Sequence, residues 1–302
     1  MTILMTGLCE KGADQIWKQC NDAMYAQGVT WLEEAAYAGD AEAWFFLGHC
    51  YSWGDGAVGF NEKKAYECYL RGASAGSARA VLGALRAGQY DEQMKQSARY
   101  SIEESYRQVR DAAEMGDVYA AWQMGEAVEW EDLADYMPQT ESAREQCLFW
   151  YERAADGGII PAMVKMGKCC QNGTYREKDE KEALRWANQC AASGEVWGLF
   201  QMGEHYRQEE DWEPAFQYDY AAAKQGSSRA MLYLGQMYLN GQGTERDIQA
   251  AVQALEGAAA RNEAESFEEL GNLFYQDELV ERDDEKAFYW YGKAYAAGIK
   301  EA

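Results

Sequence analysis

The chain has 302 residues, of which 48% are hydrophobic and 14% aromatic, a composition that supports packed helices and excludes a mainly disordered protein. Fifty-one acidic residues against 28 basic ones give a net charge of −23. Such a chain repels phosphates, which argues against nucleic acid and anionic membranes as direct partners and favours a protein or peptide of basic or mixed charge.

Residues 1–39 are predicted to form an N-terminal capping repeat that ends in the run LEEAAYAG. The first residues lack the positively charged region of an export signal, and no stretch approaches the roughly 18 apolar residues that a membrane span requires. We therefore expect a cytoplasmic protein without a membrane segment. A chain from which a signal peptide had been removed would look the same.

Helix-ending signals then recur along the chain at intervals of 32 to 42 residues. In each case an Ala-rich run meets a glycine or asparagine, the residues that best adopt the left-handed conformation after a last helical turn. These signals are Gly39, Gly76, Gly116, Gly158, Gly194, Gly226, Asn262 and Gly298. A period of this size is typical of a solenoid, in which each unit buries its apolar face against its neighbours.

The clearest unit covers residues 40–76. In its first half Ala43, Leu47, Gly48 and Tyr51 share one face of a helix, and a Gly-rich turn leads to a second amphipathic helix. The unit is therefore predicted to be an antiparallel helix pair. Later units repeat this pattern with "AAWQMG", "AMVKMG", "GLFQMG", "AMLYLG" and "SFEELG".

Three regions depart from the pattern. The unit at 77–116 lacks a clean L-G-x-x-Y, the unit at 117–158 carries an insert at 131–146, and the unit at 195–226 is shortened. Inserts of this kind often carry binding specificity, but neutral variation in loop length is the favoured explanation of this one.

The pattern A-x-x-x-L-G-x-x-Y-x-x-G-x-G, followed by K-A-x-x-W/Y-Y-x-x-A-A-x-x-G, resembles the Sel1-like repeat, a relative of the tetratricopeptide repeat. The resemblance covers about residues 28–298. It implies an all-α fold, a right-handed superhelical α-solenoid of antiparallel helix pairs with about seven to eight repeats. We expect a single domain over 1–302, with the repeats at 40–298. Members of this family are adaptors or scaffolds and as a rule not enzymes.

Residues that carry chemistry are sparse. There are two histidines and eight cysteines, without C-x-x-C spacing, so we expect reduced thiols, no metal and no cofactor. Acidic runs such as Asp283 to Glu285 suit helix N-termini better than calcium loops, and the G-x-G pairs suit turns. Since no nucleophile, base and orienting group occur together, a hydrolase is an unfavoured alternative.

A stripe on the first helix of each pair points away from the packing residues and is predicted to line a concave surface for a partner. Aromatic side chains there provide large contact area at low entropic cost. We call it the predicted stripe; its members are Phe45, His49, Trp53, Tyr119, Trp122, Glu126, Trp130, Lys168, Trp197, Phe200, Glu204 and Arg207. The alternative is that tight curvature buries these residues between units.

The sequence thus favours a non-enzymatic scaffold or adaptor that binds a partner protein on its concave surface. A narrower alternative is an immunity or inhibitor protein that neutralises one bacterial toxin or enzyme. The acidic excess could also serve solubility alone.

Overall fold

A computed structural model describes residues 2–18, 22–54, 58–130, 143–276 and 280–299. In this part of the chain all regular structure is helical, as predicted. The helices are α1 Thr2–Trp17, α2 Asp22–Tyr37, α3 Ala41–Trp53, α4 Glu62–Ala75, α5 Ala78–Arg86, α6 Glu92–Ser97, α7 Ile102–Glu114, α8 Val118–Glu129, α9 Ala143–Asp156, α10 Ile160–Asn172, α11 Glu180–Ala192, α12 Val196–Gln208, α13 Trp212–Lys224, α14 Ser228–Asn240, α15 Ile248–Ala259, α16 Ala264–Tyr275 and α17 Asp284–Ala296.

The chain divides into two compact units, residues 1–186 and 187–302, which we call unit 1 and unit 2. In unit 1 the helix pairs are α1/α2, α3/α4, α5/α7 and α8/α9; in unit 2 they are α12/α13, α14/α15 and α16/α17. The predicted antiparallel helix pairs of an α-solenoid are confirmed. Whether the chain acts as one domain stays a prediction.

Every residue predicted to end a helix has the left-handed backbone conformation on which that prediction depends. All seven glycines have positive φ, from 78° at Gly194 to 103° at Gly76, and Asn262 has φ 61°. At the start of many of the helices, a polar side chain accepts a hydrogen bond from a free backbone N–H group. Asp283, in a predicted acidic run, accepts from the backbone N–H of Lys286 at the start of α17.

In several pairs the glycine of the L-G or M-G motif allows the two helices to come into close contact. A Cβ added at Gly48 would lie 2.6 Å from the ring of Tyr69. Gly271 stands in the same relation to Tyr291, at 2.6 Å. In these two pairs an aromatic ring of the second helix therefore lies against the backbone of the first.

The irregular unit at 77–116 differs in its helices. α5 has nine residues, and the six-residue helix α6 is added before α7. In the next unit, residues 131–142 of the predicted insert lie outside the described residues, and 143–146 belong to α9.

Candidate functional site

In unit 1 the predicted stripe meets α1, a helix that its pattern does not include. Trp17, at the end of α1, is 2% exposed. Its ring centroid lies 5.2 Å from Phe46, 5.6 Å from His49 and 5.8 Å from Trp122. Helices α1, α3 and α8 thus share one aromatic cluster.

This cluster buries four members of the predicted stripe: Phe45, His49, Tyr119 and Trp122. The Tyr119 hydroxyl donates to Asp14 Oδ1 of α1 at 2.6 Å, and burial, with the nearby carboxylate, raises the pKa of Tyr119. Trp122 is 5% exposed. The sequence places these side chains on a surface; the structure packs them in the interior because α1 covers them.

The remaining stripe residues of α3 and α8 lie at or near the surface. Trp53 is 48% exposed and Trp130 is 59% exposed. The Glu126 carboxylate is partly exposed and lies 3.9 Å from His49 Nε2. The two indoles are partly accessible to solvent, and the Arg86 guanidinium lies 5.1 Å from the ring centroid of Trp53 and 4.5 Å from that of Trp130.

Unit 2 contains an open groove of about 620 Å³ between α12, α14 and α16, the first helices of three successive pairs. We call it the unit 2 groove. Of the predicted stripe it contains Glu204 and Arg207, and it adds Tyr233 and Glu269. Its remaining lining is rich in carboxamides and apolar groups: Gln208, Trp212, Gln236, Met237, Leu239, Asn240 and Gln242.

Arg207 is held at the floor of this groove by a buried acid. Its guanidinium binds the carboxylate of Asp219, a residue of α13 with no exposed side-chain surface. The guanidinium also lies 3.7 Å from the ring centroid of Tyr233 and 5.5 Å from that of Phe200. The charge of Arg207 is therefore balanced within the protein.

Asp219 occupies the place that Tyr69 and Tyr291 fill in other helix pairs. A Cβ added at Gly203 would lie 2.5 Å from Asp219 Oδ1. Burial raises the pKa of Asp219 to about 6, although Arg207 acts in the opposite direction. An alignment of the second helices would show this difference, because Asp219 stands where Tyr69 and Tyr291 stand in their own helices.

Two predicted residues stand apart from these clusters. Lys168 of α10 is exposed, and Trp197, near the start of α12, is partly buried. Neither lines the unit 2 groove.

The carboxylates of the groove are not neutralised by cations in the described part of the chain. Glu204 Oε2 is 3.4 Å from the Gln201 carboxamide nitrogen, and Glu269 Oε1 accepts from Gln236 Nε2 at 3.0 Å. Since Arg207 is paired with Asp219, the groove has net negative character.

Among the described residues, no three His, Cys, Asp or Glu side chains are placed to hold one metal ion. No helix in the described ranges is long and apolar enough to cross a membrane. The seven cysteines within these ranges are buried, and burial raises the pKa of the Cys68 thiol to about 12.

The helix pairs and their glycine contacts agree with a known repeat. The Sel1 repeat profile matches more than half of the chain, at residues 23–40, 41–77, 118–159, 160–195, 228–262 and 268–299. The chain belongs to the Sel1 repeat family. The two units that depart most from the pattern, at 77–116 and 195–226, are almost entirely outside the matches.

Solved structures share the fold. A Sel1 repeat protein from Oxalobacter formigenes has 21% identity and a TM-score of 0.54, with 98% of this chain and 84% of that chain covered. A protective antigen present in uropathogenic Escherichia coli strains, described as displaying an SLR fold, has 21% identity and a TM-score of 0.55, with 93% and 68% covered.

An uncharacterized protein of Neisseria meningitidis serogroup B is 26% identical over 195 residues. The match covers 64% of this chain and 38% of that relative, which is a much longer protein. Sel1 repeat proteins are generally protein–protein interaction scaffolds and not enzymes.

Proposed function

We propose that this protein is a non-enzymatic scaffold that binds an extended, basic segment of a partner protein in the unit 2 groove. The observation that carries the proposal is the pair of carboxylates, Glu204 and Glu269, on α12 and α16 of one open groove, with the positive charge of Arg207 already balanced by Asp219. Lysine or arginine side chains of the partner complement these carboxylates.

The carboxamides of the groove support an extended conformation of the bound segment. Each Asn or Gln side chain has both donors and acceptors, so Gln208, Gln236, Asn240 and Gln242 can pair with the main-chain N–H and C=O groups of an extended chain. Tyr233 and Trp212 add aromatic area to the lining of the groove. The immunity-protein alternative stays a prediction, since no contact in this groove favours it over a general scaffold.

The test is titration calorimetry with an acetylated, amidated octapeptide of alternating lysine and alanine. The Glu204→Gln/Glu269→Gln variant is expected to lose affinity at least fivefold relative to the unmodified protein. Its matched control, Glu245→Gln/Glu256→Gln, removes two exposed carboxylates of unit 2 that do not line the groove, and should retain affinity.

Equal losses of affinity in the two double variants would show that the peptide is attracted by net charge alone, and would contradict the proposal. The counterpart peptide with glutamate in place of lysine should not bind. High salt should weaken binding of the lysine peptide, because salt screens the attraction between exposed charges.

A further inference from the structure

The outward side of α17 differs from that of the second helices that precede it. Three residues before each of the other seven helix-ending signals stands an alanine that is at most 8% exposed. The next helix of the chain packs against that side, as α5 does against α4. At the same position α17 has Tyr295, which is 71% exposed. The seven alanines are Ala36, Ala73, Ala113, Ala155, Ala191, Ala223 and Ala259.

Two more aromatic rings lie on the exposed surface of α17. Phe288, which stands two helical turns before Tyr295, is 82% exposed, and Tyr289 is 54% exposed. We call Phe288, Tyr289, Gly292 and Tyr295 the α17 face. Its three rings present roughly 400 Å² of aromatic surface, a size at which the exposed apolar patch of a soluble protein is often an interaction site.

Gly292 lies at the centre of the α17 face without a neighbour. A Cβ added there would meet no atom within 4 Å. Glycine in an exposed helix interior lowers helix stability relative to alanine, so its benefit is the close approach of another element. The glycines within the other helices of unit 2 have that benefit inside the protein, since a Cβ on each of them would contact a neighbouring helix: Gly198, Gly203, Gly235, Gly257 and Gly271.

The two ends of the α17 face have opposite charges. Glu285 lies in the first turn of the helix and Lys293 in the last. Both are exposed, and neither forms an ion pair in the described part of the chain, whereas Asp284 binds Arg282 at 2.7 Å. A surface with one acidic and one basic end is complementary to an identical surface in the antiparallel orientation. A partner of a single charge sign would match only one end.

The helix pairs of this protein already contain the contact that such a surface offers. In the antiparallel pair α8/α9 a Cβ added at Gly125 would lie 2.8 Å from the ring of Tyr151, and in α16/α17 the ring of Tyr291 packs on Gly271. In both, an aromatic ring of one helix lies on a glycine of the other. Phe288 and Gly292 stand one turn apart on α17, so this one helix has both halves of the contact.

We propose that the α17 face is the interface of a homodimer, in which α17 packs antiparallel against α17 of a second copy. With the twofold axis close to residue 290, Phe288 of each copy lies opposite Gly292 of the other. The same register brings Glu285 of each copy to within about two residues, roughly 3 Å along the helix axis, of Lys293 of the other. One register therefore gives both the ring-on-glycine contacts and the charge pairs.

This dimer is expected to be weak. The two faces with their flanking residues bury roughly 1,000 Å² in total, which is at the lower end of specific interfaces. Two chains of net charge −23 also repel each other. We therefore expect a dissociation constant in the range of tens to hundreds of micromolar, in 0.3 M NaCl to screen this repulsion.

Sedimentation velocity of the 302-residue protein, from about 5 µM to about 1 mM, should show a monomer–dimer equilibrium. Phe288→Ser and Gly292→Gln should each weaken the dimer at least about tenfold. Gly292→Gln separates association from folding, because glutamine favours a helix over glycine and its Cβ has open space. The matched control Phe60→Ser removes a ring of unit 1 that is 70% exposed, and should leave the equilibrium unchanged.

Charge reversal tests the antiparallel register. Glu285→Lys alone, or Lys293→Glu alone, sets like charges against each other across the twofold axis, and each should weaken the dimer at least about threefold. The double variant Glu285→Lys/Lys293→Glu exchanges the two signs, so both pairs attract again and the affinity of the unmodified protein should return.

A protein that remains monomeric at the highest concentration overturns the proposal. So does a dimer that survives Phe288→Ser and Gly292→Gln, one that Phe60→Ser weakens equally, or a double charge variant no tighter than the single ones. The Gly292→Gln monomer should bind the lysine octapeptide as the unmodified protein does, because α17 does not line the unit 2 groove. The dimer and the groove are therefore tested separately.

Discussion

The first helices of the two units have the same residue pattern but different surroundings. In unit 1, α3 and α8 bury Phe45, His49 and Trp122 because Trp17 of α1 packs against their aromatic surface. In unit 2, Glu204 of α12 and Gln236 of α14, which stand where His49 stands in its repeat, line an open groove. The position of a residue in the repeat therefore determines which way it points, and a covering element determines whether it is core or surface.

The largest expected effect tests the buried side of this comparison. Trp122→Ala should lower the free energy of unfolding by about 3–5 kcal/mol, because it leaves a cavity in the aromatic cluster. Urea unfolding measures the loss. The matched variant is Trp53→Ala on the neighbouring first helix, where 48% exposure predicts a loss below about 1 kcal/mol. Comparable losses in the two variants would contradict the division into core and surface members.

The next effect concerns the buried ion pair of unit 2. Arg207→Met should cost about 3 kcal/mol, since it leaves Asp219 without its cation in the interior. The double variant Arg207→Met/Asp219→Leu should recover most of this loss, because Leu255 occupies the equivalent slot against Gly235 in the next pair. Chemical unfolding of both proteins compares them. A double variant as unstable as the single one would show that the pair has no apolar substitute.

The contribution of Asp219 to stability should depend on pH in a direction that is unusual for a carboxylate, because it should decrease as the pH rises. Its pKa is about 6 in the folded protein against 3.8 for an ordinary aspartate, so protonation favours the folded state. The stabilisation is fully present below about pH 4 and is lost as the pH rises through about 6. The difference in unfolding free energy between the unmodified protein and Asp219→Asn should fall by about 2–3 kcal/mol over this range. A flat or rising difference would be inconsistent with this burial.

The smallest effect is expected at the open groove. Glu204→Gln should change the unfolding free energy by less than about 0.5 kcal/mol, because the side chain is only partly buried and makes one long contact with Gln201. Thermal unfolding checks this. Since Glu204 contributes to the raised pKa of Asp219, the same variant should move the midpoint of the Asp219 effect to lower pH. A large loss of stability would show that Glu204 is a structural residue, and would contradict the contrast between the buried cluster of unit 1 and the open groove of unit 2.

Much of the fold could be predicted from residues close together in the chain. The turns at Gly76 and Asn262, the pairing of helices and the repeat family all follow from local patterns, and all are confirmed. The unit 2 groove is less predictable from sequence. Glu204 and Arg207 belong to the predicted stripe and line the groove, but Asp219 is found only by aligning the second helices.

The sequence by itself determined where helices end and which faces they present, because helix capping and side-chain direction depend on neighbours within a few residues. The tertiary structure alone decided which parts of the predicted stripe are interior. Trp17 reaches Trp122 across more than 100 positions of the chain, and no local pattern specifies that contact. In the same way, the charge of the unit 2 groove depends on Asp219, which neutralises Arg207 from a different helix.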